Sequence, residues 1–221
     1  IGISAIAENN SATSVGPLVV TQDFGKRPGN NVFILGVAYN DLDINNFYTP
    51  GEGLGSLQVS LAGSSVTSFA SGGYTLNTTA TGSQTLTFSG AGLSGALNVA
   101  LNLAAASNIK LDIVGGSKLK TSTSVMVGGP ITTIEGLGLT GLNLGATGSS
   151  AHFFYGTIGN DILTGGTGTD TACGYGLRSS CTISQIANGY TISSGATGTD
   201  TLLGVEKVQF SDGLFDLSSG A

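Results

Sequence analysis

The stretch DLDINNFYTPGE, residues 41–52 (the acidic loop), gathers three carboxylates in a chain in which only 9% of residues are charged. An average soluble domain has roughly 25% charged residues, so this grouping needs a specific cause. The oxygen-bearing groups of the loop fall on positions 1, 3, 5, 7 and 12 of the twelve-residue calcium-binding loop. In order, they are Asp41, Asp43, Asn45, the Phe47 carbonyl and Glu52. The spacing therefore predicts a cation site.

Calcium is the predicted ion, because a set of oxygen ligands suits it better than zinc, which prefers His or Cys, or magnesium, which keeps more of its water. The loop departs from the motif at position 6, where Asn46 replaces glycine. Asparagine tolerates positive φ better than most residues, so we expect a weaker site. Two alternatives stay open: a solvated acidic turn closed by Pro50 and Gly51, and a carboxylate pair for glycoside hydrolysis, which the spacing within one loop disfavours.

The composition is that of a folded, charge-poor protein. Of the 221 residues, 37 are glycine and 40% are hydrophobic, and the net charge is -6. This length suits one large or two modest domains. The absence of a basic run argues against a nucleic-acid partner, and no apolar run reaches the roughly 20 residues that span a bilayer. The start at Ile1 predicts a processed chain or a fragment. With one histidine and no GxSxG or HExxH motif, we expect no enzymatic activity.

Alternation of apolar and polar residues predicts an all-β protein. Residues 31–39 form a short apolar run that is typical of a strand in a sandwich core, and this run leads directly into the acidic loop. Residues 95–106 fit either a short helix or a strand. We therefore predict a β-sandwich over residues 31–116. Three further segments alternate with a period of two, as half-buried strands do: residues 56–61, 84–88 and 108–113.

Glycine recurs at short intervals between single apolar residues over residues 117–221, which predicts short strands stacked in a roll with a terminal hairpin. Residues 165–173 fit the nonapeptide GGxGxDxUx, in which U is apolar, and residues 156–164 fit it with one glycine replaced. The glycines let the backbone turn tightly so that its carbonyls face a cation, and the aspartate supplies charge. The predicted ligands are Gly159, Asp161, Gly168 and Asp170.

The chain contains two cysteines, Cys173 and Cys181. Their separation of eight residues suits a short loop or hairpin closed by a disulfide, which is the prediction. The alternative is a pair of free buried thiols.

The segments GVAYNDLD at residues 36–43, GEGLGSLQV at 51–59 and NIKLD at 108–112 resemble prealbumin-like β-sandwich modules of secreted bacterial proteins. The resemblance covers roughly residues 31–115 and extends to the calcium-binding B domains of surface adhesins. A similar segment often follows a CAP domain in Gram-negative secreted proteins, although this chain has no CAP domain. The resemblance implies a secreted protein whose acidic loop binds calcium.

The two nonapeptides and the tail GTDTLLGVEKVQFSDG at residues 198–213 resemble the RTX family of hemolysin-type calcium-binding repeats. In that family each ion lies between a repeat and the one two copies along. Here the upstream copy, residues 147–155, is degenerate and has His152 in the aspartate position. The resemblance therefore implies that Asp161 and Asp170 each hold half a site. It also implies type I secretion from a Gram-negative bacterium.

These features predict a non-catalytic, calcium-stabilised extracellular protein with a structural or adhesive role. We expect a homo-oligomer or polymer, such as a fibre or surface layer, and a surface glycan or matrix as a further partner. Residues 1–30 are predicted to be an extension, a linker or a strand donated to a neighbouring copy, which gives head-to-tail polymers. The alternative is an accessory module of a larger exported enzyme, for calcium-dependent folding and secretion or for carbohydrate binding.

Overall fold

The computed structural model describes residues 2–7, 18–23, 29–195 and 197–218. These residues are almost entirely strands and turns, so the predicted all-β class is confirmed. The described residues contain no helix long and apolar enough to cross a membrane. The elements are β1 (Gly2–Ala7), β2 (Leu18–Asp23), β3 (Val32–Tyr39), β4 (Gln58–Leu61), β5 (Ser64–Thr67), β6 (Gly73–Thr78), β7 (Gly82–Ser89), β8 (Leu97–Leu103), β9 (Asn108–Val114), β10 (Lys118–Thr121), β11 (Val125–Gly128), β12 (Thr133–Gly136), β13 (Asn143–Ala146), β14 (Phe153–Tyr155), β15 (Ile162–Thr164), β16 (Thr171–Tyr175), a 3₁₀ helix (Arg178–Ser180), β17 (Cys181–Ile186), β18 (Gly189–Ser194), β19 (Gly198–Leu203), β20 (Lys207–Phe210) and β21 (Gly213–Asp216).

The chain divides into two compact units, residues 1–30 and residues 31–221. In the first unit, β1 and β2 form a two-stranded antiparallel sheet. The extension, linker or donated strand expected from the sequence spans residues 1–30, of which residues 1, 8–17 and 24–28 lie outside the described residues.

Two large mixed sheets build the second unit. The nine-stranded sheet has the order β21-β20-β16-β14-β12-β10-β9-β3-β6, and the ten-stranded sheet has the order β17-β18-β19-β15-β13-β11-β8-β7-β4-β5. Apolar side chains from both sheets meet in one core, in which Phe88, Leu111 and Phe154 are fully buried. Burial of these side chains is the main force that holds the two sheets together.

Strict alternation places one face of each early strand in the core. In β8 the four residues Leu97, Val99, Leu101 and Leu103 are buried and the residues between them are exposed. The strand interpretation of residues 95–106 is therefore confirmed, because an α-helix would bury residues three or four apart.

From β10 to β16, successive strands alternate between the two sheets. β10, β12, β14 and β16 lie parallel in the nine-stranded sheet, and β11, β13 and β15 lie parallel in the ten-stranded sheet. Thr133 pairs with Phe153, and Phe153 pairs with Thr171. The chain thus makes stacked turns, each of which adds one strand to each sheet.

Both sheets continue across residues 116 and 117, where the two predicted domains meet. β9 pairs with β10 in the nine-stranded sheet, and β8 pairs with β11 in the ten-stranded sheet. At the far end, the β17–β18 hairpin extends the ten-stranded sheet beyond β19, and β21 extends the nine-stranded sheet beyond β20. The stacked turns therefore share a core with the preceding strands.

The expected disulfide between Cys173 and Cys181 is not formed, and both thiols are free and buried. Cys181 belongs to the core between the sheets. Cys173 follows the core residue Ala172, so it points to the opposite face of its strand, where it lies beside Tyr155. The prediction was wrong because a short separation along the chain does not guarantee that two side chains face each other.

Candidate metal centre

The acidic loop leaves and rejoins the fold at neighbouring points of the backbone. β3 ends at Tyr39, which forms an antiparallel bridge with Gly53. The Asn40 N–H donates to the Glu52 carbonyl at 2.9 Å. These two contacts close the loop, so the carboxylates near its beginning come close to the carboxylate at its end.

Asp41, Asp43 and Glu52 each present a carboxylate oxygen, and these three oxygens lie within 4.8 Å of one another. Glu52 is only 6% exposed. Its Oε1 accepts the Leu42 N–H at 2.7 Å, and its Oε2 accepts the Thr49 N–H at 2.7 Å. Glu52 therefore fixes both halves of the loop around the three carboxylates.

Asp41 and Asp43 organise the first half of the loop. The two carboxylate oxygens of Asp41 accept the N–H groups of Asn45 and Asn46, each at 3.0 Å. Asp43 Oδ2 accepts the Asn45 side-chain amide at 2.8 Å and the Thr49 hydroxyl at 3.1 Å. These donors hold the carboxylates in one orientation and compensate part of their charge.

The backbone turns sharply at Ile44 and Asn46, which have φ values of 57° and 65°. The left-handed conformation at Asn46 lies at position 6, where the calcium loop requires its turn. Phe47 follows, and its N–H donates to Asn45 Oδ1 at 2.7 Å. Asn46 thus supplies, at position 6, the positive φ for which the motif uses glycine.

Two lysines of β10 attach the loop to the nine-stranded sheet. Lys120 Nζ donates to the Asn46 carbonyl at 2.6 Å, and Lys118 Nζ donates to Asn46 Oδ1 at 3.2 Å. Both ammonium groups also lie near the Glu135 carboxylate, at 3.5 and 3.3 Å. Lys120 lies 5.8 Å from the centre of the Phe47 ring. The loop is therefore fixed from outside as well as by its own hydrogen bonds.

Carboxylates lie near Tyr39, where the loop begins. Burial raises the pKa of Tyr39 to about 12, and the carboxylates of Asp112 and Asp41 add to this shift. Carboxylate and carbonyl oxygens are the hard donors that calcium prefers. In the part of the chain that the structure describes, no other group of three Asp, Glu, His or Cys side chains lies as close together. The residues present fit calcium better than a metal that needs nitrogen or sulfur ligands.

Comparison with known proteins adds no assignment. No family model matches this chain. A search of curated proteins finds no match either. The function is therefore inferred from the geometry of the acidic loop and of the stacked turns.

Asp161, a predicted ligand, is 1% exposed and lies between stacked turns. Its Oδ1 accepts the Leu142 N–H at 2.6 Å, and its Oδ2 accepts the Thr157 N–H at 2.7 Å. The Thr157 hydroxyl lies 3.2 Å from both carboxylate oxygens. The carboxylate thus joins its own turn to the preceding one through backbone donors.

Asp170 repeats this arrangement one strand later and is fully buried. Its Oδ2 accepts the Gly166 N–H, four residues earlier, at 2.9 Å. Its Oδ1 accepts the His152 N–H of the preceding turn at 2.8 Å and lies 3.0 Å from His152 Nδ1. The Asp170 N–H in turn donates to Glu206 at 2.8 Å. His152 and Glu206 were not predicted as its partners.

Gly159 and Gly168 let neighbouring turns approach closely. A Cβ atom at Gly159 would overlap the backbone of Gly141, and one at Gly168 would overlap the Ser150 carbonyl. These close approaches at the glycines, and the N–H groups that donate to the Asp161 carboxylate, give the glycine and aspartate positions of the repeat a structural role in stacking.

Asp200 is a buried acid that the sequence did not single out. Its Oδ1 accepts the Asp161 N–H at 2.8 Å, and its Oδ2 accepts the Tyr175 hydroxyl at 2.6 Å. Burial raises the pKa of Asp200 to about 6; the two hydrogen bonds lower it, and the Asp161 charge adds to the increase. The triplet Gly-Thr-Asp occurs at residues 168–170 and again at 198–200, which is the signal that relates Asp200 to Asp170.

The raised pKa of Asp200 predicts a pH dependence of stability. Between about pH 4 and about pH 6 the folded chain binds more protons at Asp200 than the unfolded chain, so this residue's contribution to the free energy of unfolding falls as pH rises through this window. Asp200→Asn removes the titration. We expect its stability relative to wild type to increase from pH 4 to pH 6.5 and then level off. Urea unfolding of both proteins across this range tests this, and a constant difference contradicts it.

Proposed function

We propose that this protein is a non-catalytic, calcium-stabilised structural or adhesive protein of the cell exterior, with the acidic loop as its calcium site. The observation that carries the proposal is the approach of the Asp41, Asp43 and Glu52 carboxylates to within 4.8 Å of one another. Asn45 and the Phe47 carbonyl complete the predicted ligand set. Calcium would neutralise charge at this loop and link its two halves.

The architecture supports this role. In the proposal, residues 31–116 form a prealbumin-like β-sandwich and residues 117–221 form an RTX-like roll with a terminal hairpin. The alternation of parallel strands between two sheets supports the roll. Such a protein would be secreted, by a type I system in a Gram-negative bacterium, and would act as an adhesin or as a subunit of a fibre or surface layer. Its partners would be copies of itself and a surface glycan or matrix.

The loop connects calcium binding to the stability of the whole unit. Glu52 ends the loop, and Lys120 joins the loop to β10 through the Asn46 carbonyl. A cation that orders the loop also orders the position of Asn46 and therefore this contact. Calcium bound only to the folded state raises the free energy of unfolding by mass action, by about 2.7 kcal/mol at a hundredfold excess over Kd.

A calcium titration followed by thermal unfolding tests the proposal. We expect the wild-type Tm to rise by about 5–10 °C at saturating calcium, with a smaller rise in magnesium. The variant Asp43→Ala with Glu52→Ala should show no calcium-dependent rise, whereas Asp212→Ala, which removes an exposed acid outside the loop, should behave as wild type. An unchanged wild-type Tm, or an equal rise in the double variant, would refute the site.

A further inference from the structure

The two ends of the second unit leave four sheet edges open. At the first end, β6 closes the nine-stranded sheet and β5 closes the ten-stranded sheet; at the second end, β21 and β17 do the same. Each of these strands pairs on one side only with a described strand. If the first end of one molecule meets the second end of another, the two nine-stranded sheets meet edge to edge, and so do the two ten-stranded sheets.

The edges carry few of the features that prevent pairing between molecules. β5 reads SSVT, β6 reads GYTLNT and β17 reads CTISQI, so these three strands contain no charge and no proline; β21, GLFD, contains one acid. Natural proteins usually protect an open edge with lysine, proline or a bulge. An unprotected edge accepts the backbone of another chain.

The second end also has a groove between its two edge strands. The groove has a volume of about 380 Å³ and is lined by Ile183, Tyr190, Phe215 and Leu217, with Arg178 at its side. The Arg178 guanidinium lies 4.7 Å from the centre of the Phe215 ring. Gln185 and Ser218 complete the lining, so the groove combines aromatic and aliphatic side chains with polar groups and a cation. Such a site can accept an aromatic ring beside the guanidinium.

The first end presents such a ring. Phe69 lies in the turn between β5 and β6 and is 75% exposed. Two hydrogen bonds hold the turn: the Phe69 N–H donates to the Gly73 carbonyl at 2.9 Å, and the buried Ser68 hydroxyl accepts the Leu57 N–H at 2.9 Å. An exposed large apolar side chain on a fixed turn, beside two open edges, is suited to insertion into a neighbour.

We propose that the first end of one molecule binds the second end of another copy of this chain, with Phe69 in the groove beside Arg178, β6 next to β21 and β5 next to β17. Because the two surfaces differ, the contact is heterologous and repeats head to tail into a filament. The inference rests on the proposed function in that it names the interface of the proposed fibre. It does not require a strand donated from residues 1–30.

Sedimentation equilibrium of the full chain in calcium tests this interface. We expect the wild-type average mass to rise with concentration beyond that of a dimer. Phe69→Ser should weaken association at least about tenfold, as expected for a central aromatic anchor. Ser184→Lys, which adds a charge to the exposed face of β17, should do the same. Leu139→Ser is the matched control, because Leu139 is equally exposed, at 75%, but lies between β12 and β13, away from both ends.

Two outcomes overturn the interface: a wild type that stays monomeric at millimolar concentration, or a Leu139→Ser variant that loses as much association as Phe69→Ser. Thermal unfolding of Phe69→Ser with and without calcium separates this inference from the proposed function. Calcium stabilisation without any assembly refutes the interface and leaves the calcium site standing. Assembly that depends on Phe69 but without calcium stabilisation supports the interface and refutes the calcium site.

Discussion

Replacing Asp161 with alanine is expected to lower the free energy of unfolding by about 2–6 kcal/mol. The substitution leaves the Leu142 and Thr157 N–H groups without their acceptor in the interior, and each buried unpaired donor costs about 1–3 kcal/mol. Guanidinium unfolding followed by circular dichroism measures the loss.

The same experiment decides whether Asp161 is a structural acceptor or a calcium ligand. If Asp161 is a structural acceptor, Asp161→Ala loses the same free energy of unfolding in calcium and in a chelator. If Asp161 is a calcium ligand, most of this loss disappears in the chelator. Asp43→Ala is the matched control, because Asp43 is exposed, and its effect in the chelator should stay within about 0.5 kcal/mol. A loss below about 1 kcal/mol for Asp161→Ala in both conditions would contradict the described hydrogen bonds.

Gly159→Ala is expected to lower the free energy of unfolding by at least about 2 kcal/mol. The added Cβ would overlap backbone atoms of Gly141 in the neighbouring turn. The backbone on both sides belongs to stacked turns and cannot move independently, so the strain spreads into the core. The loss should appear in the midpoint of denaturant unfolding, with an unchanged slope.

Gly95→Ala is the control for that substitution. No atom lies within 4 Å of a Cβ built at Gly95, and its φ is not in the left-handed region. We expect its stability to equal or slightly exceed that of wild type, because alanine restricts the unfolded chain. If both glycine variants are as stable as wild type, the close stacking of the turns at Gly159 is wrong.

The class and many strands could be predicted because a period of two arises from strand geometry itself. Residues 84–88 and 108–113 lie within β7 and β9. The pairing of strands could not be predicted in this way. β3 pairs in parallel with β9, and β15 pairs in parallel with β19. These neighbours are far apart in sequence, and local alternation contains no information about which strands meet.

For the side chains of the acidic loop and of the stacked turns, too, local contacts could be predicted and distant ones could not. The approach of Asp41 to Glu52 could be predicted because all the predicted ligands of the acidic loop lie in one contiguous stretch of twelve residues. The contact from Lys120 to the Asn46 carbonyl spans 74 positions, and the Asp161 N–H donates to Asp200 across 39 positions. The repeat motif predicted where glycine and aspartate recur. It did not predict their partners, since backbone N–H groups carry no signature in the sequence.

The stacked turns give the molecule a length that can be set in steps. Thr133 pairs with Phe153 and Phe153 with Thr171, so one turn takes 20 or 18 residues. Each turn adds one strand to each sheet, which corresponds to about 4.8 Å. Inserting or deleting a whole turn would leave the acidic loop and both ends unchanged. The number of turns therefore sets the distance from the acidic loop to the far edge of the sheets, in increments of one strand spacing.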